Sequence, residues 1–429
     1  MWNFTLSGFA FLFYAYIKFI RTKIFYPSVV FSFMWGIGCI VTSLIIGGYF
    51  KDLYLSNYYS FRYINEYVPY FAFISIGAFY LAHKIFPRTE INIDFTLNFL
   101  KSIIEKYHWI MWTNFFGGLL RIILMVSVVG LDSVMDYRVA ANNMMNSGLG
   151  PIGLVFRITS YIQMVANFYI ALYGFKAGFE TFNLRKTIFL FILYSPTQLA
   201  TGGRLFILYF ILFFIGSFLL GRGVALQFSE RRFLESSEKK TLLIVLTGLL
   251  SLVSLIALAR QSEGKSRESA LAKFTYISEG MLESEHYMNF NSPENMTPDY
   301  GKHLITGHSP THLKYRGYLQ MTFMSSIVIS IITPLYTSFG YWGSIIVWGL
   351  LAFFLESLAI ICLRRLTIIR FFILLTILKI MYETIISNPL PGNLPVYELI
   401  ILFAIFYKPI FGKLENKKTF IFYVDKENI

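Results

Sequence analysis

The chain has 429 residues, of which 56% are hydrophobic and 14% charged, with a formal net charge of +13 and a mean hydropathy of +0.58. Soluble proteins carry about 25% charged residues, and repeated apolar runs of about 20 residues are the pattern of membrane-spanning helices. This composition excludes a soluble globular enzyme and predicts an all-α polytopic membrane protein.

The apolar runs predict about 11 transmembrane helices, within a range of about 10 to 12. The first run has no basic region before it, so we interpret it as a span and not as a cleavable signal. Continuous runs such as Thr241–Ala259 also differ from the alternating segments of a membrane barrel. The predicted spans are residues 3–20, 24–48, 67–85, 108–131, 151–175, 187–200, 205–220, 241–259, 341–363, 366–386 and 397–411.

The segments between the spans differ in charge. Many Lys and Arg residues lie in the tail after Lys408 and in the segments 21–23, 86–107, 176–186, 221–240 and 364–365. Fewer lie in 49–66, 132–150, 201–204, 260–340 and 387–396. By the positive-inside rule the first set is cytoplasmic, and the positive charge then indicates membrane topology and no nucleic-acid partner.

The segment 260–340 is therefore predicted to be one large loop on the outer side. Within it, Leu319–Thr333 is apolar enough to be a span, but Pro334 follows directly and Gly340 ends the stretch. We predict a re-entrant or surface helix there, because irregular backbone at membrane depth needs cover from protein or water. The predicted organisation is N-terminal helices in 1–259, the outer loop in 260–340, and C-terminal helices with a cytoplasmic tail in 341–429.

A Gly-Gly-Arg corner, which we define as Thr201–Arg204, separates two apolar runs. An arginine at the centre of a membrane helix costs roughly 2.5–3.5 kcal/mol on insertion scales. The two glycines permit a tight turn and close approach of the backbone to a ligand. Arg204 is either an anchor at the lipid headgroups or a phosphate ligand, and its predicted place on the outer side favours the phosphate.

Other charged residues collect toward the same side. Arginine suits phosphate because its planar fork binds two oxygens at once. The alternative for each arginine is an anchor at the interface, but an ionisable residue at membrane depth indicates function by default. Arg121 lies deeper and has two interpretations, a phosphate ligand or a structural partner of Glu356. The predicted phosphate ligands are Arg204, Arg138, Arg157, Arg260 and Arg316, and Glu383 lies near the outer end of its span.

Four of the six histidines lie in the large loop, namely His286, His303, His308 and His312. Histidine is readily poised as a general base near neutral pH, which makes His286 the first candidate, followed by Glu383 and His312. The histidine spacing also permits a metal site, but no carboxylate falls at ligand spacing, so we expect no metal. No glycine-rich nucleotide loop occurs, and an activated donor would have to arrive on a lipid.

The chain resembles the bacterial O-antigen or oligosaccharide repeat-unit polymerases of the Wzy type. The resemblance rests on three features, which are the Thr201–Arg204 corner at the head of an apolar helix, the large outer loop, and the stretch Pro334–Gly343 that opens another helix. The family's pattern often has Ser before the arginine and an acid before Phe-Gly. Here these positions are Gly203 and Ser338.

The resemblance implies a glycosyltransferase of the inner membrane with an active site facing the periplasm and no metal or other cofactor. It would transfer the growing glycan from undecaprenyl pyrophosphate onto a new lipid-linked repeat unit. Arg204 would stabilise the pyrophosphate leaving group. The lipid-linked oligosaccharide, the bilayer and a chain-length regulator protein are the implied partners.

Two alternatives remain. A flippase or transporter of lipid-linked sugars would also have about a dozen spans, but such proteins usually contain internal repeats, and we find none. An O-antigen ligase would share the chemistry and differ in its acceptor, but the loop has no clear His-Asn motif.

Overall fold

The computed structural model of the chain describes residues 2–47, 63–87, 91–93, 97–129, 151–180, 182–199, 209–226, 234–236, 238–245, 247–248, 251, 280–281, 284–285, 287–288, 298–306, 330–385 and 400–406. These residues form two compact units. The first contains Met1–Ile91, Glu268–Arg365 and Thr376–Tyr397, and the second contains Asn92–Arg267, Leu366–Leu375 and Glu398–Ile429.

Helices dominate the described residues, and the only β-strands there are β1 (Asn92–Ile93) and β2 (Arg365–Leu366). A π-helix covers Ile211–Gly216, and residues 400–406 are also helical. The α-helices are α1 (Trp2–Thr22), α2 (Pro27–Ile46), α3 (Tyr63–Ile85), α4 (Leu97–Lys106), α5 (Trp109–Val129), α6 (Pro151–Phe179), α7 (Leu184–Tyr194), α8 (Pro196–Leu199), α9 (Ser217–Ala225), α10 (Lys302–Thr306), α11 (Ile332–Arg364) and α12 (Ile368–Glu383).

Five helical segments among the described residues are long and apolar enough to cross a membrane. They are Trp2–Thr22, Pro27–Ile46, Tyr63–Ile85, Leu97–Ser127 and Ile332–Arg364. The all-α membrane class predicted from composition agrees with this result. The total of about 11 crossings and the outer position of 260–340 stay predictions.

The predicted helix over 341–363 follows a kink at Gly340 within α11. The stretch before the kink is itself helical from Ile332, which the sequence did not indicate. Pro334 is the third residue of the helix, where its missing N–H costs no hydrogen bond. The backbone departs from helical geometry at Gly340, with φ 71° and ψ −172°, a conformation open essentially to glycine alone.

Aromatic side chains from three helices form the core of the first unit. Phe31 stacks on Trp348 with ring centroids 5.2 Å apart, and Trp35 lies 4.6 Å from Phe71. Phe71 in turn stacks on Trp348 at 5.3 Å, so α2, α3 and α11 meet in one cluster. Aromatic pairs in such offset and tilted arrangements add to the stabilisation from area burial alone.

One end of the first unit is held together by the buried carboxylate of Glu356 on α11. Its Oε1 lies 2.7 Å from Nε2 of His83 and accepts a hydrogen bond from the Ser28 hydroxyl at 2.6 Å, while Oε2 accepts from the Ser28 N–H at 3.0 Å. These contacts join the ends of helices that flank predicted cytoplasmic segments. A buried charge is tolerated when it is paired and hydrogen-bonded in this way.

The opposite end of the first unit uses a second carboxylate. Glu285 accepts hydrogen bonds from the N–H groups of Tyr63 at 3.2 Å and Ile64 at 2.6 Å, the first two residues of α3. A carboxylate there satisfies N–H groups that have no partner within the helix and complements the helix dipole. Tyr63, Ile64 and Glu285 all lie in segments that were predicted to be on the outer side.

In the second unit, α6 packs on the π-helix and α9 at backbone distance. A Cβ atom added at Gly174 would lie 2.4 Å from the Phe214 carbonyl oxygen, and one at Gly178 would lie 2.5 Å from that of Phe218. The two glycines are four residues apart and therefore share one face of α6. This small-residue spacing is how membrane helices reach close contact.

We predict that Gly178→Ala destabilises the detergent-solubilised protein by about 1–3 kcal/mol. The added methyl group would overlap backbone atoms of α9, which can move only if the two helices separate. Gly216→Ala is the matched control, since nothing lies within 4 Å of the added atom there. Thermal unfolding of both variants measures the difference. Equal melting temperatures would contradict the close packing described for α6.

Candidate functional site

The helical segment that leads to the Gly-Gly-Arg corner is interrupted between α7 and α8. Pro196 has no N–H to donate to the Ile192 carbonyl, and the Ser195 hydroxyl donates to that oxygen instead, at 3.3 Å. The Asn114 amide of α5 donates to the carbonyls of the last two residues of α7, at 3.0 and 3.2 Å. Side chains thus satisfy carbonyls that a regular helix would have used.

Arg121 of α5 binds at this break. Its guanidinium donates to the Thr197 carbonyl at 3.3 Å and to the Ser160 hydroxyl at 2.6 Å. It also donates to the Thr159 hydroxyl and the Phe156 carbonyl of α6. The Phe156 ring lies 4.9 Å below the guanidinium carbon, within range of a cation–π interaction. We call Arg121 and these four partners the Arg121 cluster.

The charge of Arg121 has only neutral hydrogen-bond partners among the described residues, although its side chain is 3% exposed. Arg222 of α9 is equally buried but forms an ion pair with Glu238, itself 5% exposed. Buried cations normally have an anionic partner of this kind. Among the described residues, the charge of Arg121 is therefore compensated by neutral hydrogen-bond partners alone.

Gly118 brings α8 against α5 at the same place. A Cβ atom at Gly118 would lie 2.2 Å from the backbone nitrogen of Thr197, so only glycine permits this approach. Thr197 stands four residues before Thr201, where the Gly-Gly-Arg corner begins. The corner itself lies outside the described residues, but the segment leading into it is held by Arg121 and Asn114.

The Arg121 cluster also has a defined depth along its helices. Arg121 is eight residues from the end of α5 and Phe156 is five residues from the start of α6. At 1.5 Å per residue these distances are about 12 Å and about 8 Å. Both helix ends flank the segment 132–150, which was predicted to lie on the outer side.

Two of the eight predicted site residues lie among the described residues. Arg157 is exposed on α6, next to the buried Phe156, and Glu383 is the buried last residue of α12. They belong to different units, so no joint site follows from their positions. The other six predicted site residues lie outside the described residues, namely Arg138, Arg204, Arg260, His286, His312 and Arg316.

The surroundings of Glu383 are defined by its neighbour in the chain. The Thr384 carbonyl accepts a hydrogen bond from the Ile331 N–H at 2.7 Å, and its hydroxyl accepts one from the Trp35 indole at 2.9 Å. Glu383 therefore sits where the end of α12 meets the beginning of α11. Thr384 is thus hydrogen-bonded to Ile331 and to Trp35 of α2.

The neighbours of His286 are both buried. Glu285 holds the start of α3, and Tyr287 meets Tyr336 edge-to-face with centroids 6.4 Å apart. One residue earlier, the Ser284 hydroxyl lies 2.8 Å from that of Ser330. Ser284, Glu285 and Tyr287 are therefore in contact with residues at the starts of α3 and α11. His286 itself lies outside the described residues.

Tyr287 lies in the predicted outer loop. Burial raises the pKa of Tyr287 to about 12; the Thr337 hydroxyl lowers it by hydrogen bonding, and the nearby Asp299 raises it further. The phenol is therefore neutral at physiological pH. It can donate a hydrogen bond but cannot act as a base there.

The structure corrects the suggested pairing of Arg121 with Glu356. Glu356 binds His83 and Ser28, whereas Arg121 binds α6 and α8. Arg121 therefore joins α5 to two other helices, a role that its place in the sequence did not indicate. The useful signal was Gly117-Gly118 one turn before the arginine, because adjacent small residues let a neighbouring backbone come close enough to accept its hydrogen bonds.

The fold so described is that of an all-α protein with several helices of membrane-spanning length. Comparison with protein-family models, with curated proteins and with solved structures finds no match.

We predict that Arg121→Met destabilises the protein by about 1–3 kcal/mol, because it leaves buried hydrogen-bond acceptors such as the Thr197 carbonyl without this donor. The matched variant Arg222→Met should cost about 3–5 kcal/mol, because it leaves the buried Glu238 carboxylate without its partner. Thermal unfolding of the two variants side by side makes the comparison. If Arg121→Met is as damaging as Arg222→Met, a buried negative charge compensates Arg121, and neutral partners alone do not.

The pKa of Tyr287 predicts a pH dependence of stability. The phenol ionises near 10.0 when exposed and near 12 when folded. The folded state thus holds its proton more tightly, and this stabilisation is complete below pH 10 and lost as the pH rises through 12. By pH 12 the wild type should have lost about 2 kcal/mol more than Tyr287→Phe.

Denaturant unfolding from pH 9 to 12 measures this loss. Tyr300→Phe, at a residue that is 84% exposed, is the control and should follow the wild type. A Tyr287→Phe curve parallel to the wild type would contradict the burial of this phenol.

Proposed function

We propose that this chain polymerises lipid-linked oligosaccharide repeat units of the O-antigen type. The reaction transfers the growing glycan from undecaprenyl pyrophosphate onto the sugar of a new lipid-linked repeat unit. The anomeric carbon–oxygen bond to the pyrophosphate breaks, a bond to the acceptor hydroxyl oxygen forms, and the hydroxyl proton leaves. The reaction takes place at the periplasmic face of a bacterial inner membrane.

The observation that carries the proposal is the buried Arg121 guanidinium, whose hydrogen-bond partners among the described residues are all neutral and which lies next to the segment that leads into the Gly-Gly-Arg corner. The departing pyrophosphate develops negative charge. Positioned cations and N–H donors aimed at that charge stabilise the transition state, and their effect is largest where water is excluded. In this proposal Arg121 supplies such a charge and binds α8, the helix that precedes the corner in the sequence.

Each proposed role follows from the chemistry of its residue. Arg204 and Arg121 act on the pyrophosphate of the donor, with Arg138, Arg157, Arg260 and Arg316 as further phosphate ligands. His286 takes the proton of the acceptor hydroxyl, because histidine accepts protons near neutral pH. Glu383 and His312 are the other candidates for this role.

A transporter of the same lipid-linked sugars is the second candidate function. The buried contact between His83 and Glu356 favours it, with 2.7 Å between the imidazole nitrogen and the carboxylate oxygen. Ionisable pairs inside membrane helices often form proton relays in transporters. The pair also has a structural explanation, because it joins α2, α3 and α11.

Deleting the gene and separating the surface polysaccharide on a gel distinguishes these functions. Loss of a polymerase leaves single repeat units attached, whereas loss of a flippase abolishes both short and long chains. Loss of a ligase leaves no glycan attached to the lipid A core. Normal polysaccharide in the deletion strain would refute all three.

We predict that Arg204→Ala reproduces the pattern of polymerase loss at normal protein level. Arg204→Lys should be nearly as damaging, because lysine keeps the charge but loses the two-pronged contact to phosphate. The gel of strains complemented with each variant measures the outcome, with immunoblotting as the control for protein level. Wild-type chain lengths from Arg204→Ala would remove Arg204 from the site.

A further inference from the structure

A cavity of about 440 Å³ lies between α4, α6 and α7 in the second unit. Part of its lining is apolar and includes Ile104 and Leu190. The rest is polar, and each of the three helices contributes at least one lysine to it. All the charged residues of the lining lie in segments that were predicted to be cytoplasmic, namely Lys101, Glu105, Lys176, Glu180 and Lys186.

The charges of the lining leave one cation over. The Lys101 ammonium lies 4.0 Å from the Glu105 carboxylate, and that of Lys176 lies 2.6 Å from the carboxylate of Glu180. Both pairs join residues four apart in the sequence and are complete within themselves. No carboxylate in the part of the chain that the structure describes lies within ion-pair distance of the Lys186 ammonium. The cavity therefore carries a net positive charge.

The position of Lys186 adds to this charge. Lys186 lies in the first turn of α7, where the helix dipole is itself positive and acidic residues are stabilising. The first turn of α7 contains no acidic residue and has Arg185 and Lys186 instead. The Asn183 side chain accepts a hydrogen bond from the Lys186 N–H at 3.1 Å and so caps the helix. Two cations at a positive helix end repel each other and the dipole, and a bound anion would relieve this repulsion.

His108 offers the cavity a second donor in a fixed orientation. The Tyr169 hydroxyl donates its proton to the Ile104 carbonyl at 3.0 Å, so its oxygen accepts a hydrogen bond from Nδ1 of His108, also at 3.0 Å. Nε2 is then the ring nitrogen that remains for a ligand, and it becomes a donor when the ring is protonated. The ring stacks on Phe189, which also lines the cavity, with centroids 6.5 Å apart.

We propose that this cavity binds an anionic phosphate group, carried either by a membrane phospholipid or by a soluble phosphate compound. Lys186 and protonated His108 donate to the phosphate oxygens, and hydrogen bonds between charged groups are the stronger kind. The apolar part of the lining favours the phospholipid, since basic pockets between membrane helices on the cytoplasmic side hold anionic lipid headgroups. This site is separate from the Arg121 cluster and does not depend on glycan polymerisation.

Thermal unfolding of the full-length protein in dodecyl maltoside tests the inference, because a ligand that binds the folded state raises the midpoint. Short-chain phosphatidylglycerol should raise it with saturation, whereas phosphatidylcholine of the same chain length should not, since its headgroup has no net charge. Glycerol phosphate identifies a soluble source if it acts at the same or a lower concentration, and a lipid source if it does not. Equal stabilisation by phosphatidylcholine, or none by either anionic compound, would overturn the proposal.

Lys186→Gln should raise the concentration of phosphatidylglycerol needed for half of the shift about tenfold, the effect of losing one hydrogen bond between charged groups. Arg185→Gln is the matched control, because it removes the same charge from the same helical turn at a residue that does not line the cavity. It should stay within about twofold of the wild type, since salt screens exposed charges. Unfolding without added lipid shows whether both variants fold.

The comparison of the two variants decides between a site and a charged surface. Equal weakening by Lys186→Gln and Arg185→Gln would show attraction to surface charge in general and overturn the proposal. Wild-type binding by Lys186→Gln would overturn it as well.

Discussion

Burying the Arg121 guanidinium among apolar helices is the constraint on which the second unit depends. Such a charge costs roughly 2.5–3.5 kcal/mol at the centre of a membrane helix unless partners offset it. The partners come from α6 and α8, and one of them, the Thr197 carbonyl, lies in the last turn of α8, where carbonyls have no partner within the helix. The cost of the buried charge is thus offset by hydrogen bonds that join α5 to α6 and α8.

The first unit also buries charged groups among apolar helices, but its buried groups are carboxylates. Its carboxylates Glu356 and Glu285 both accept hydrogen bonds from N–H groups at helix starts, those of α2 and α3. A helix start carries partial positive charge and N–H groups without internal partners, so a carboxylate there needs little further compensation. Each end of the unit is thereby tied through one acidic side chain, which explains why charges persist in so apolar a chain.

Local properties of the sequence predicted the helices, since the apolar runs coincide closely with α1, α2, α3 and α5. Hydrogen-bond partners that are distant in the sequence could not be predicted from these local properties. Ser28 and Glu356 are 328 positions apart, and hydropathy holds no information about which residues pair. Arg121 was misjudged for a related reason, because a sequence shows the charged groups but not the backbone carbonyls that an interrupted helix leaves open. At Gly340, by contrast, the sequence did indicate a break in the helix, and the structure has one that is a single residue long.

The π-helix at Ile211–Gly216 changes the direction in which the side chains that follow it point. A π-turn holds one residue more than an α-turn, so everything beyond it is rotated by about 100° relative to an uninterrupted α-helix. Arg222 reaches Glu238 from that rotated face. Inserting or deleting one residue in this stretch would rotate the following helix face by about 100°. Arg222 would then point away from Glu238, although the composition of the chain would hardly change. The number of residues in this stretch therefore determines the contact between Arg222 and Glu238 as much as the identity of the residues does.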